Sequence, residues 1–262
     1  MADILFNCII NPMDIQGGNR FFFNFKEKRG FLSEEESHHL VNVLRKKEGE
    51  KILLINGKGK EYEGKILQII KSGKKVKAKV EINKIIREEN PPSKEIIAFI
   101  PLLKGNKTEF LVEKGIELGI TTFIPFYSDY SIVKPKSNLF RRLHLKAVSA
   151  LKQSGRLIFP KIYEPICLKE FLQNFPFKNS LNLLALPKGK ISLLDLKENI
   201  LKYKQIIFIS GPEGGFSADE IELLSKQGFL SINLSPFILR AETASLTLMC
   251  LVTVLLFHLD KF

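Results

Sequence analysis

The sequence predicts an α/β protein with a parallel sheet, preceded by a small β-barrel. Three observations carry that expectation. The first third of the chain holds short runs that alternate between apolar and polar residues. A charged, proline-bearing break, REENPPSK, lies at residues 87–94. After it, continuous apolar runs alternate with segments of helical period. The break divides the chain into a first domain at residues 1–88 and a second at 89–262.

In the first domain, Lys51–Ile55, 61–70 and 75–82 read as strands, separated by turns at 56–59 (NGKG) and at Ser72-Gly73. In the last of them, Lys75, Lys77 and Lys79 alternate with Val76, Ala78 and Val80. Period-two geometry gathers the lysines on one face and turns the small apolar residues inward. That basic ridge suits phosphate contact, and the same pattern also suits a solvated face that blunts a sheet edge.

In the second domain, residues 96–103 are almost wholly apolar, as a strand covered on both faces requires. Residues 107–118 have helical spacing and stop at Gly119. Further strands are expected at 122–126, 181–186, Gln205–Ser210 and 230–234, and helices at 139–152, 217–227 and 241–259. The apolar run within the last helix, at 244–259 and flanked by Arg240 and Glu242, is too short to span a bilayer comfortably, so a core helix or a dimer face is expected.

Charge narrows the partner. With 40 Lys+Arg against 28 Asp+Glu, the net charge is +12 and the pI about 9.5, which attracts a polyanion. Cys8, Cys167 and Cys250 form no CxxC pair, and His38, His39, His144 and His258 have no ligand spacing, so neither a disulfide framework nor a metal site is expected. The opening MADILFNCII lacks the basic region and cleavage site of a secretory signal, which places the protein in the cytoplasm.

The most specific segment is IIFISGPEGGFSADE at 206–220, a buried strand, a glycine-rich turn and a helix start. Gly211, Gly214 and Gly215 permit positive φ and close approach of a ligand to backbone, and Pro212 stiffens the turn. Ser217 and Glu220 form a capping box. No Lys-Ser/Thr follows the glycines and the spacing is not GxGxxG, so neither a P-loop nor a dinucleotide fingerprint is present. Glu213 would repel phosphate but could face a cationic or hydrogen-bond-donating ligand; it could equally be a turn residue. A second loop, LSPFILRAETA at 234–244, brings Arg240, Glu242 and Thr243 to the mouth of the last helix. There, Arg240 and Glu242 form either a functional group or a structural pair.

These two loops, in this order, resemble those of the RsmE family of ribosomal RNA methyltransferases within the SPOUT superfamily. The resemblance extends to HLVNVLR at 39–45, Lys104 to Glu109, KGIELG at 114–119 and QSGR at 153–156. It implies a PUA-like RNA-binding barrel at residues 1–88, a trefoil-knotted methyltransferase domain at 89–262, and a homodimer joined through the knotted domains. It implies S-adenosyl-L-methionine (SAM) as cofactor, held by Ala185, Leu186 and Pro187, by Gly211, Pro212, Glu213, Gly214 and Gly215, and by Leu234, Leu239, Ala241, Thr243 and Ala244. The reaction implied is methylation of N3 of a uridine in small-subunit (16S) ribosomal RNA. Arg240 is then the candidate for stabilising charge on the uracil oxygens, and Glu242 or Glu213 is placed to take the proton. RNA contacts fall to Arg45, Lys75, Lys77, Lys79, Lys104 and Arg156.

The chain departs from the family pattern at Ser235, where glycine is usual, at Phe237, where arginine is usual, and at Lys152, where an acid is usual. Two other classes are disfavoured. A non-catalytic assembly factor need not keep the loop glycines, and a nucleotide-binding metabolic enzyme needs a phosphate motif.

Overall fold

The computed structural model describes residues 20–174, 177 and 179–260. Cys8 and the opening segment, on which the secretory argument rests, lie outside the described residues. The chain forms two compact units, residues 1–90 with 151–159, and residues 91–150 with 160–262.

The first unit is a five-stranded sheet in the order β1-β3-β4-β5-β2. Its strands are β1 (Arg20–Phe22), β2 (Arg29–Phe31), β3 (Lys51–Ile55), β4 (Lys60–Ser72) and β5 (Lys75–Glu88). The long β4–β5 hairpin carries register shifts at Glu61/Tyr62, Glu63/Gly64 and Ile66/Gln68, bulges that bend a sheet toward closure. Phe21, Leu40, Leu54 and Val80 fill its core, helped by α1 (Glu34–His38) and the single π-turn His39–Val43 that follows. Val76, Ala78 and Val80 are buried, whereas Lys75 and Lys77 are exposed and Lys79 half-buried, so the expected alternation is observed. One boundary differs from expectation. β5 runs to Glu88, so Arg87 belongs to a strand and not to the break, because its guanidinium pairs with the buried Glu61 at 3.1 Å.

Residues 151–159 join this unit through backbone bonds. Gly59 donates its amide to the Leu157 carbonyl at 2.9 Å, and Phe159 donates to Gly57 at 2.8 Å. Buried ion pairs Arg20–Glu61 (2.6 Å) and Lys152–Glu36 (2.6 Å) lie in the same region. Lys152, one of the departures from the family pattern, therefore has a structural partner.

The second unit is an eight-stranded sheet, β11-β13-β10-β12-β6-β7-β8, with β9 also on β7. Its strands are β6 (Glu95–Pro101), β7 (Thr122–Tyr127), β8 (Lys161–Ile162), β9 (Ile166–Cys167), β10 (Ser180–Ala185), β11 (Ile191–Ser192), β12 (Gln205–Ser210) and β13 (Leu230–Asn233). Every pairing is parallel. Parallel strands need crossovers, and α2 (Lys107–Glu117), α3 (Leu139–Ser154), α4 (Leu168–Asn174), α5 (Lys197–Lys202) and α6 (Ala218–Lys226) supply their helical segments, while α7 (Ala241–Asp260) follows the last strand. Phe99, Phe126, Ile207 and Ile209 are buried in one face of the sheet, each contributing about 1.5–3 kcal/mol by leaving water.

Two features place the functional loops. Ala185 lies opposite both Ser210 and Ile232, so β10, β12 and β13 end side by side. In open parallel sheets the carboxyl edge is where ligands bind. The helix α7 packs on α2, α5, β6 and β12, and Leu248, Met249, Val252 and Leu256 are buried. By length and composition alone Ala241–His258 is long and apolar enough to cross a bilayer, although the apolar run 244–259 is short for a span. Its buried face is that of a core helix.

Candidate active site

The three loops that leave β10, β12 and β13 enclose one cavity of about 680 Å³. Of the residues implied to hold SAM, all but Gly214 and Thr243 line it, and Arg240 and Glu242 line it with them. Among the described residues, no cluster of three His, Cys, Asp or Glu side chains is placed to hold a metal ion.

The loop after β12 is rigid for reasons that can be named. Gly215 has φ +73° and donates its amide to Pro212 at 2.9 Å, closing a tight turn. Gly214 is set by space: a Cβ there would stand 2.6 Å from the Tyr130 carbonyl oxygen. Gly214 thus holds the loop against its neighbour and does not line the cavity. The capping box forms as expected, with Ser217 Oγ accepting from the Glu220 amide and Glu220 accepting from the Ser217 amide at 2.9 Å. Glu220 is fully buried and its other oxygen accepts the Asp129 amide at 2.9 Å, while Ser217 Oγ donates to Asp129 at 2.8 Å. Phe216 stacks on Phe126. Behind the loop, Ser210 and Ser245 share a buried 2.6 Å hydrogen bond that ties β12 to α7.

The loop after β13 is open by comparison. Asn233 Oδ1 and Ser235 Oγ accept the amides of Ser235 and Phe237, both at 3.0 Å, and Leu239 closes part of the wall. Phe237 and Ile238 are 78% and 88% exposed at the cavity rim.

Glu213 and Glu242 have different partners. Glu213 accepts the Lys104 amide at 3.1 Å, which joins the β12 loop to the loop after β6. Glu242 pairs with Lys107 at 2.9 Å and not with Arg240. This Lys107 contact holds the Glu242 carboxyl below its usual pKa, against the opposing effect of burial. Glu242 Oε2 is buried without a hydrogen-bond partner. Lys107 was not among the expected site residues. It lies in the quoted Lys104 to Glu109 stretch, but only the packing of α2 on α7 brings it to Glu242. Arg240 is exposed, so its guanidinium is free to meet a ligand at the mouth.

The expected RNA contacts separate. Arg45, Lys75, Lys77, Lys79 and Arg156 belong to the first unit, and Lys104 to the second. Arg45 is exposed, at φ +53°. Arg156 is half-buried, and burial pulls its pKa below the usual guanidinium value against the attraction of Glu89. Lys79 lies over the exposed Phe31 ring at 5.8 Å, a pair the sequence did not reveal because β2 is three residues long.

A parallel α/β unit with such a cavity at its carboxyl edge has the form of an enzyme that binds a small molecule there, and the family matches make its class RNA methyltransferase. The RNA methyltransferase domain family matches residues 89–253 and the RNA methyltransferase PUA domain family matches residues 32–81. Ribosomal RNA small subunit methyltransferase E of Buchnera aphidicola is 33% identical over 82% of this chain and 83% of its own length. The Bacillus subtilis protein of that name is 32% identical over 82% and 86%. Among solved structures, a Legionella pneumophila methyltransferase with bound SAM superposes with a TM-score of 0.79 at 27% identity, covering 90% of this chain and 97% of that one. The Neisseria gonorrhoeae methyltransferase E bound to SAM gives 0.77 at 28% identity, covering 90% and 97%. The chain belongs to the ribosomal RNA small subunit methyltransferase E family and has its SPOUT-type fold.

Proposed function

We propose that this protein methylates N3 of one uridine in small-subunit ribosomal RNA, using SAM bound in the cavity enclosed by the β10, β12 and β13 loops. The observation that carries the reading is the convergence of those three loops on one space of about 680 Å³. That volume is in the range of roughly 300–1,000 Å³ usual for small-molecule sites.

The wall suits the cofactor. Backbone amides and carbonyls of 185–187 and 211–215 can read the edges of adenine, and Leu186, Leu234 and Leu239 can cover its apolar faces. Bound SAM supplies an electrophilic methyl group. Everything else falls to the chain. Uridine N3 carries a proton at neutral pH, so transfer needs a place for that proton and stabilisation of charge on the uracil oxygens. Arg240, exposed at the rim, can meet those oxygens. Glu242, held ionised by Lys107, is a weak base but a good fixed acceptor, with Oε2 still to be satisfied. Glu213, engaged by the Lys104 amide, positions the loop more than it moves a proton.

The barrel unit binds the RNA backbone through Arg45, Lys75, Lys77 and Lys79, which the +12 charge supports. Arg156 acts alongside them only where RNA reaches its half-buried guanidinium. Two copies pair through the second unit, a reading supported by the exposed Val254 and Phe257 on α7 and by Phe237 and Ile238 on the adjoining loop. The protein works in the cytoplasm, where ribosomal RNA is made.

The reading is tested by incubating the protein with SAM and small-subunit RNA that lacks the modification, then identifying methylated nucleosides by mass spectrometry. 3-Methyluridine at a single position is the expected product. Methylation of ribose or of another base would exclude it.

A further inference from the structure

A second cavity, of about 660 Å³, lies in the same unit beside the first. The two share a wall. Lys107 lines one cavity and Thr108 and Glu109 the other, and Glu213 of the first accepts the amide of Lys104 in the second. The walls of the two cavities differ in chemistry. Lys104, Lys134, Lys136 and Arg142 give the second cavity a cationic wall, and none of the three lysines has an ion-pair partner among the described residues.

Within that wall Glu109 is 4% exposed. Its Oε1 pairs with Arg142, but its Oε2 is buried without a hydrogen-bond partner. Thr108, next to it, is fully engaged: it donates to the Pro101 carbonyl at 3.2 Å and accepts the Leu103 amide at 2.9 Å. A buried carboxylate oxygen left unpaired is unfavourable unless a ligand supplies a donor.

A lone anion would suit the lysines but be repelled by Glu109. A ligand that satisfies both carries phosphate at one end and an N–H donor at the other. Every nucleotide whose base carries an N–H meets that description, but guanine and uracil offer a ring imide N–H, more acidic than the exocyclic amines of adenine and cytosine and so the stronger donor to a carboxylate. The nucleotide bound there cannot be the target uridine in its reactive pose, because the new methyl group must occupy the in-plane position that the N3 hydrogen would hold against Glu109.

We infer that this cavity is a recognition subsite for a guanine or uracil nucleotide flanking the methylated base, with its N–H donated to Glu109 Oε2 and its phosphate near Lys104, Lys134 and Lys136. The inference rests on the methyltransferase reading for the word flanking. The nucleotide-binding site itself does not depend on it.

The test is calorimetry of the full chain with GMP, UMP, AMP and CMP, in the presence of S-adenosylhomocysteine. GMP and UMP are expected to bind about fivefold or more tightly than AMP and CMP, because only they satisfy the carboxylate through a ring N–H. Glu109→Gln should erase that preference while SAM affinity is retained. Should that variant fold poorly, Lys134→Glu with Lys136→Glu, both at exposed positions, should weaken all four nucleotides together. Equal binding of the four by the wild type, a preference that survives Glu109→Gln, or inorganic phosphate competing as well as GMP would each overturn the subsite. With ribosomal RNA, the Glu109→Gln loss should fall on KM; a collapse of kcat at unchanged KM would place the target base there instead and defeat the proposal. Nucleotide preference in a protein that methylates no RNA would leave the subsite standing and remove the methyltransferase reading.

Discussion

The two loops that define the cavity are built on different principles. The β12 loop is closed on itself: Gly215 turns it, Gly214 seats it against Tyr130, and the buried Glu220 fixes the start of α6 through two amides. The β13 loop shows the opposite balance, with two short side-chain turns and with Phe237 and Ile238 exposed. A preorganised wall gives cofactor affinity because little order has to be imposed on binding. An open wall bearing Arg240 suits the larger and more variable partner, the RNA. We propose that the β12 loop is the preordered part of the cofactor wall, whereas the β13 loop completes that wall with Leu234 and Leu239 and turns Arg240 toward the substrate.

The largest effect should separate those roles. Arg240→Ala is expected to lower single-turnover methylation by about a hundredfold or more, as loss of one charge-stabilising donor does, while SAM affinity by calorimetry changes little. An unchanged rate would leave the open loop without a chemical role. Gly214→Val should do the reverse. The added Cβ meets the Tyr130 backbone, so the loop must shift, and SAM affinity is expected to fall by an order of magnitude or more at a stability cost of about 1–3 kcal/mol. Retained affinity would uncouple the closed loop from the cofactor.

Smaller effects sharpen the same contrast. Glu220→Ala removes a buried carboxylate and its two amide bonds, so thermal unfolding should register a loss of about 2–4 kcal/mol. Phe237→Ser, at 78% exposure, should change the stability of the fold by less than about 0.5 kcal/mol and appear as an altered KM for RNA or as weaker pairing of two copies. A Phe237→Ser protein that unfolds readily would mean that the open loop is held by packing after all.

Acid should act on both units through histidine. Burial holds His39 and His144 below their ordinary value of 6.5 in the folded chain. The unfolded chain therefore takes up these protons first as pH falls. Their contribution to stability is complete above about 6.5 and declines below it, which denaturant melts across that window would detect. Melts that strengthen on acidification would contradict the assignment.

Much of this was legible in the residues. The apolar run Gln205–Ser210, the glycines after it and the S-x-x-E cap read directly as strand, turn and helix, because each signal is local. The lysine alternation in β5 was equally local. What the sequence withheld is non-local or too short for a period to show. The strands β1, β2, β8, β9 and β11 have two or three residues each. Residues 151–159, with the QSGR element, belong to the first unit although they lie sixty residues beyond the break, since tertiary hydrogen bonds to Gly57 and Gly59 decide it. The Lys107–Glu242 pair joins residues on two helices far apart in the chain, and it replaced the Arg240–Glu242 pairing that proximity in sequence suggested. The close packing of Gly214 on Tyr130 is likewise non-local, so the sequence shows the glycine but not this reason for it.

The central claim is that the β10, β12 and β13 loops together hold the methyl donor. A crystal structure with S-adenosylhomocysteine tests it most directly. The account expects the ligand between residues 185–187, 211–215 and 234–244, with Arg240 at the open side near its sulfur. Ligand bound elsewhere, or a cavity that stays closed to it at saturating concentration, would contradict the account.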